Sequence, residues 1–471
     1  MRPVGVDSVS SVRHGPCPTP LTAADECFTN VSRLGRHRVG CALPMDVPVR
    51  RQRSPITFVF LALMIDTIGF GIITPVLPQL IMDISHEDVG AAARIGGALF
   101  AVFAGLQFLF GPVIGNLSDR FGRRPVLLTS MLMFGLNYVL MGFAPTIAWL
   151  FVGRALTGIS GAIYAPANAF IADVTPPDRR AQSFGLVGAA FGLGFILGPA
   201  LGGLLGELGP RAPFFAAALL ALVNFVFGFF VLPETLPRER RRPFDLARAN
   251  PLGTLRGFRG QPFVLSVVTA AFFWQVAFQV YPSTWSYYAI AKFDLSPRAI
   301  GATLAMSGLS TALVQSSVTG KLVSRFGERR TALLGVAWGG LMFLSFAFVP
   351  QSWMLYPVLA VSGLQGIANP SVNALLSREL GPERQGELQG GMASVIGLSS
   401  IVGPYTLTQT LALFTGPDAR YVFPGAAFVL ATLLAIVCFV LLSIALARKP
   451  MAGEVGHARS IRTKADAASE R

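Results

Sequence analysis

Apolar residues in this chain come in long runs, broken by short polar stretches, with no sustained alternation. Twelve runs lie near 56 to 80, 95 to 115, 126 to 143, 147 to 172, 183 to 205, 212 to 232, 264 to 285, 300 to 322, 331 to 349, 353 to 377, 388 to 414 and 422 to 447. Each is close to the roughly 20 residues that a helix needs to cross a ~30 Å hydrocarbon core. The pattern predicts an all-α polytopic membrane protein of twelve transmembrane helices. The long polar stretch from Pro233 to Gln261 divides them six and six. The expected organisation is an N-terminal extension (1–53), a six-helix half (54–232), a cytoplasmic linker (233–261), a second six-helix half (262–447) and a basic tail (448–471). The extension is polar, without the apolar core of a signal peptide, and is expected to be disordered. Met45 opens a short basic lead directly before the first run and is the expected translation start; N-terminal sequencing that begins at Met1 refutes this.

The two halves are related. A shift of 205 residues aligns Gly115, Leu117, Arg120, Phe121, Gly122 and Arg124 with Gly320, Leu322, Arg325, Phe326, Gly327 and Arg329. Without a gap, the same shift then brings Gly158, Gly161, Asn168, Gly198 and Pro199 onto Gly363, Gly366, Asn373, Gly403 and Pro404. Two pseudo-symmetric halves of like topology, with a site between them, are the architecture of a rocking transporter.

Composition agrees: 52% of residues are hydrophobic and 13% charged, with mean hydropathy +0.58. The net charge of +14 could suggest a nucleic-acid partner, but the basic residues sit in short tracts between spans, as in cytoplasmic loops. With both termini cytoplasmic, the inner segments from Arg50 onward hold 27 Lys and Arg and the outer loops five. The histidines, His14, His37, His86 and His457, all fall outside the runs, and the four cysteines have no ligand-like spacing. No metal site, no cofactor and no Walker lysine is expected, which leaves an ion gradient as the energy source. A receptor would need a sizeable soluble domain, and a membrane enzyme clustered polar residues within the spans; neither pattern is present.

The most distinctive stretch is GNLSDRFGRRPVLL, Gly115 to Leu128, a charged turn between the second and third spans. It carries Asp119, Arg120 and Arg123. Across the repeat, Arg123 stands opposite Glu328 and Asp173 opposite Arg378. The exchanged signs predict two ion pairs, Arg123 with Asp173 and Glu328 with Arg378, stapling each half's loop to the end of its fourth span in the inward-closed state. With Arg325, the counterpart of Arg120, these residues form a candidate cytoplasmic gate. The alternative is an unrelated difference in loop charge. Asp119 has only Ser324 as its counterpart.

Two ionisable side chains remain deep in the spans. Asp66 lies about eleven residues into the first, roughly 16 Å from its inner end; Arg154 lies about seven into the fourth. A charge at such depth costs at least ~2.5 kcal/mol and marks a functional candidate, here proton coupling. A permanent ion pair between the two is the structural alternative.

In the fifth span, GLVGAAFGLGFILGPALGG (Gly185 to Gly203), the small residues Gly188, Gly192 and Gly198 with Pro199 are expected to let helices approach and slide. Its partial likeness to a dinucleotide fingerprint fails because no strand precedes it. Span seven carries FFWQVAFQVYPSTW, in which Trp274, Gln275 and Gln279 suit a cavity for a bulky, flat, partly polar compound. Tyr281 and Trp285 fit a lipid-interface belt equally well. Gln107, Asn137, Asn168 and Gln315 are further cavity candidates, each able instead to satisfy a helix contact.

DTIGFGIITPVLP, GNLSDRFGRRPVLL, GRALTGISGA, IADVTPPDRRAQSFG and the fifth span together resemble the drug/proton antiporters of the major facilitator superfamily, the tetracycline efflux branch in particular. The resemblance runs from about Pro55 to Ala447. It implies that Asp119, Arg123 and Asp173 form a charge relay, that Arg154 is a buried arginine linked to proton coupling, and that Asp66 is the first-span acid. That branch carries an acid, a histidine and an acid where this chain has Asn137, Thr311 and Gly339, departures that point away from tetracycline itself. The expected function is proton-driven efflux of small amphiphilic compounds by a monomer in a bacterial-type inner membrane, with a small molecule, protons and lipid as partners. Proton-coupled uptake of a metabolite is the alternative.

Overall fold

The computed structural model describes residues 55–161, 164–175, 180–245, 258, 260–417 and 419–448. The extension 1–53 with Met45, linker residues 246–257 and the tail beyond Arg448 lie outside them. All regular elements among the described residues are helical. The first half holds α1 (Pro55–Ile73), α2 (Leu77–Ser85), α3 (Val89–Phe121), α4 (Arg123–Gly142), α5 (Ile147–Ser160), α6 (Tyr164–Val174), α7 (Arg180–Gly206) and α8 (Ala212–Val231). The second holds α9 (Pro262–Phe278), α10 (Val280–Phe293), α11 (Pro297–Ser317), α12 (Thr319–Phe348), α13 (Leu355–Ser362), α14 (Ala368–Leu380), α15 (Gln385–Leu413) and α16 (Ala426–Ala447).

Several expected spans are built from two helices. Span one is α1 and α2, bent by 46° around Pro75, whose ring cannot continue the hydrogen-bond ladder. Its repeat, span seven, breaks at the equivalent place, Gln279, between α9 and α10. Span four breaks after Ser160, and its repeat passes through a 3₁₀ stretch, Gly363–Ile367, between α13 and α14. Span eight joins α11 to the first turns of α12, which runs on into span nine through Gly327.

Gly122 and Gly327 carry the repeat into backbone geometry. They have φ/ψ of 105/159° and 75/165°, a region in which an L side chain is strained. Each ends the second span of its half and turns the chain into the third. Side-chain caps start α3 and α11, where Asp88 Oδ1 accepts from Ala91 N at 2.8 Å and Ser296 Oγ from Ala299 N at 3.4 Å.

The outer surface is strongly apolar: Phe143, Phe230, Leu413 and Val422 are all well exposed, as only a lipid-facing surface tolerates. Inside, glycine governs approach. A Cβ on Gly198 would lie 2.8 Å from Gly71 Cα, so α1 and α7 touch backbone to backbone. The repeat reproduces this contact, with Gly403 on α15 set against Val276 O at 3.1 Å.

The halves meet at one end of the bundle. There the Tyr287 hydroxyl covers Gly96, Thr408 covers Gly97, and Gly203 backs onto Gly301. Ser286 Oγ donates to Thr74 O at 2.9 Å. At the opposite end, which carries the Gly122 and Gly327 turns, Gly185, Gly188, Gly192, Gly320 and Gly386 have no atom of the described residues within 4 Å of where a Cβ would stand. The bundle is closed at one end and open at the loop end.

Candidate functional site

Between the halves lies a cavity of about 450 Å³. From the first half, α7 contributes Gly188, Phe191, Gly192, Phe195 and Pro199; from the second come Phe278, Gln279, Tyr281, Thr311, Gln315 and Asn369. Aromatic walls with a few amides and hydroxyls match a flat, partly polar compound. Of the residues expected here from sequence, Gln279 and Gln315 line it. The other candidates lie elsewhere. Trp274 is buried in the second half against Phe343. Asn137 donates to Thr157 Oγ1, tying span three to span four, and Gln107 donates to Gly161 O at 3.0 Å. Neither Asn168, which is exposed, nor Gln275 is on the cavity wall.

Glycine roles also divide. Gly198 packs helices as expected, whereas Gly188 and Gly192 face the open cavity with nothing to pack against. Pro199 does both, lying against Gly71 and lining the cavity. Tyr281 and Trp285 do not form an interface belt: Trp285 is 1% exposed and donates to Thr303 Oγ1 at 2.9 Å, while Tyr281 accepts from Gln365 Nε2 at 2.9 Å at the cavity edge. Gly339 leaves no room for the acid carried by the resembling branch. A Cβ there would strike the Trp274 ring.

At the loop end both reversed ion pairs are formed although that end is open, so the pairs are not confined to the inward-closed state. Arg123 Nε lies 3.4 Å from Asp173 Oδ2 and Arg378 Nη2 2.9 Å from Glu328 Oε1. Arg123 also pairs with Asp119 at 2.6 Å and donates to Ser118 Oγ at 3.0 Å. Arg120 and Arg325 each stack over the next ring, Phe121 and Phe326, at 5.2 and 5.6 Å, and make no ion pair among the described residues. The neighbouring arginines repeat as well: Arg124 donates to Phe229 O at 2.7 Å and Arg329 to Leu446 O at 3.5 Å. Each places a cation on the carbonyl end of its half's last span, where the helix dipole favours it.

Sequence reasoning missed Glu234. Its Oε1 accepts from Arg123 N at 2.9 Å and from Thr235 N and Leu236 N, both at 3.0 Å. Arg241 pairs with its other oxygen at 3.7 Å, and Arg242 N donates to Asp119 O at 3.1 Å. The beginning of the linker is thereby fastened onto the Gly122 turn. Only the adjacency of Pro233, Glu234 and Thr235 to the end of span six could have signalled it.

In the membrane, Asp66 and Arg154 do not meet. Asn224 on α8 donates to Asp66 Oδ1 at 3.3 Å and to Ala62 O at 3.2 Å. Asp66 Oδ2 and Asn224 Oδ1 are buried without partners. Arg154 lies 5.8 and 6.0 Å from the Phe100 and Phe103 rings, with its Nε buried and unpartnered. The permanent pair considered from sequence is therefore absent.

Comparison with known proteins places this fold. The model of the Major Facilitator Superfamily matches residues 59–404 and 277–465. The chain is 40% identical to tetracycline resistance protein class C of Escherichia coli, over 79% of this chain and 92% of that protein. It is 37% identical to the class G protein of Vibrio anguillarum, over 85% and 98%. Among solved structures, the human organic anion transporter MFSD10 aligns with a TM-score of 0.60 at 26% identity, covering 83% of this chain and 99% of the other. Members of this family are transporters and not enzymes. A gapless repeat of helices, a cavity between its halves and a match across most of the sequence lead to one statement: the chain belongs to the Major Facilitator Superfamily.

Proposed function

We propose that the chain exports small amphiphilic drugs from a bacterial-type cell in exchange for protons, by alternating access. The cavity between the halves, open at the loop end and lined by phenylalanines with Gln279 and Gln315, carries this reading. The excess of Lys and Arg in the segments on that side supports a cytoplasmic loop end, with both termini on the same side. Compound entering there leaves when the Gly96, Gly203 and Gly301 contacts part and the loop end closes. Resistance proteins among the relatives favour export over uptake of a metabolite. The protein works as a monomer, since the cavity is complete within one chain.

Asp66 carries the proton. Protonation supplies a donor beside the unpartnered Asn224 Oδ1, and deprotonation leaves a buried carboxylate held by one amide. The two states differ in hydrogen bonding, so proton binding biases the α1–α8 contact. Each charge moving down 100 mV supplies ~2.3 kcal/mol, enough for a gradient of roughly fifty-fold at unit net charge. Asp119, Arg123 and Asp173 in the first half, and Glu328 and Arg378 in the second, brace the loop of their own half.

A susceptibility panel of cells with and without the protein tests this reading. It should include tetracyclines, cationic dyes and anionic amphiphiles, the last because one structural relative is an organic anion transporter. Resistance to at least one class, lost with Asp66→Asn, is expected; no resistance in any class overturns export.

A further inference from the structure

Beyond the main cavity lies a small chamber against the closed end, bounded by Phe70, Thr74, Phe100, Arg154, Ser286 and Tyr287. Thr74 and Pro282 line both spaces, so the chamber is the deep end of the cavity. Its free space is about 10 Å³, which is the scale of one water-sized atom. Arg154 comes from the first half and Tyr287 from the second, 4% and 3% exposed.

The chemistry of this chamber is one-sided. Ser286 Oγ–H is committed to Thr74 O at 2.9 Å and Ser283 Oγ–H to Gln279 O at 2.6 Å. Arg154 has no carboxylate partner among the described residues, and Tyr287 OH has no hydrogen-bond partner. The first-span acid is hydrogen-bonded by Asn224 and is not among the residues that line the chamber. Phe100 and Phe103 offset part of the arginine's charge through their ring faces, but they accept no hydrogen bond of ordinary strength. A buried guanidinium and a buried phenol proton, both unspent, therefore face a space that admits one oxygen atom. Such a set favours a charge-assisted bond to an anion.

We propose that Arg154 and Tyr287 form an oxyanion subsite, which takes one oxygen of a carboxylate or ionised enol borne by the exported compound while its flat body lies among Phe191, Phe195 and Phe278. The subsite rests on the export reading and names a charge class for it. Because the two residues belong to different halves, opening of the closed end separates the donors and releases the anion outward.

The test measures binding of 2-naphthoate and of its neutral isostere 2-naphthamide to the purified full chain at neutral pH, with chloride as a competing free anion. Naphthoate is expected to bind about tenfold or more tightly than the amide. Arg154→Gln should bring that ratio near one, Arg154→Lys should restore part of it, and Tyr287→Phe should lower it without changing naphthamide binding. Equal affinity for the two probes, failure of naphthoate to bind, or a ratio unchanged in Arg154→Gln overturns the subsite. So does complete displacement of naphthoate by chloride with equal naphthamide binding, which marks a free-anion site. If Arg154→Gln does not fold, the ratio in Tyr287→Phe decides alone. A chain that discriminates the probes but confers no resistance keeps the subsite and loses export; resistance without discrimination does the reverse.

Discussion

Glu328 and Arg378 meet at 2.9 Å at the position where their repeat counterparts, Arg123 and Asp173, meet at 3.4 Å with the signs exchanged. A contact kept while its charges are reversed is a latch defined by geometry. Burial is exchanged along with the charge: in the first pair the arginine is the buried partner, Arg123 at 10% exposed against 31% for Asp173, and in the second the acid, Glu328 at 9% against 78% for Arg378. Leaving a buried charge without its partner is destabilising by up to about 3–5 kcal/mol. Arg378→Ala, which strands the Glu328 carboxylate, and Arg123→Ala, which leaves Asp119 and Asp173 without their arginine, should therefore each lower the melting temperature of the purified protein and its transport rate. Arg123→Glu combined with Asp173→Arg should recover part of the loss in Arg123→Glu alone. An unchanged melting temperature in either alanine variant contradicts these pairings.

Glu234 holds three backbone N–H groups and an arginine at the start of the linker. Glu234→Ala leaves those donors without their acceptor, at a cost on the order of 1–3 kcal/mol. Trypsin cleavage after Arg238, Arg240 or Arg241 should accelerate severalfold in this variant, and Glu234→Gln should show a smaller change. An unaltered cleavage rate would mean that the docked linker contributes nothing to holding the turn.

The fifth span gives a paired prediction from glycines that look alike in sequence. Gly198→Ala drives a methyl to 2.8 Å from the Gly71 backbone, and overpacking of this kind costs about 1–3 kcal/mol. Gly192→Ala meets open space and should melt at or slightly above the wild-type temperature, since alanine favours a helix. Comparing the two melting curves checks this; a greater loss in Gly192→Ala contradicts the packing.

At the closed end, the Tyr287 hydroxyl lies directly over Gly96. A methyl in Gly96→Ala should hold the halves apart there. With the native cysteines replaced by serine, a reporter from Ser286→Cys should label with an outside-added maleimide several times faster in the Gly96→Ala background. Unchanged labelling would show that closure does not use this contact.

Much of this was legible in the linear pattern. The 205-residue register brings Gly122 and Gly327, both at positive φ, to the same turn of each half, and it sets the charges of the two reversed ion pairs opposite one another, because those positions recur at one spacing. Side-chain direction was not legible. Hydrophobic period places Trp274, Tyr281 and Trp285 on a helix but does not say whether a face meets lipid, core or cavity, since all three accept aromatics. The same holds for Gly188 and Gly198, which differ only in whether another backbone lies opposite. Glu234 escaped notice because an acid in a polar linker reads as solvated until Arg123, more than a hundred residues earlier, is brought beside it.

The central claim is that Asp66 couples proton entry to export. Inverted membrane vesicles, acidified inside by respiration, test it through the accumulation of an exported compound and the accompanying loss of the pH gradient. The account predicts accumulation and partial collapse of the gradient with the native protein, and neither with Asp66→Asn at equal expression. Proton-driven accumulation undiminished in Asp66→Asn contradicts it.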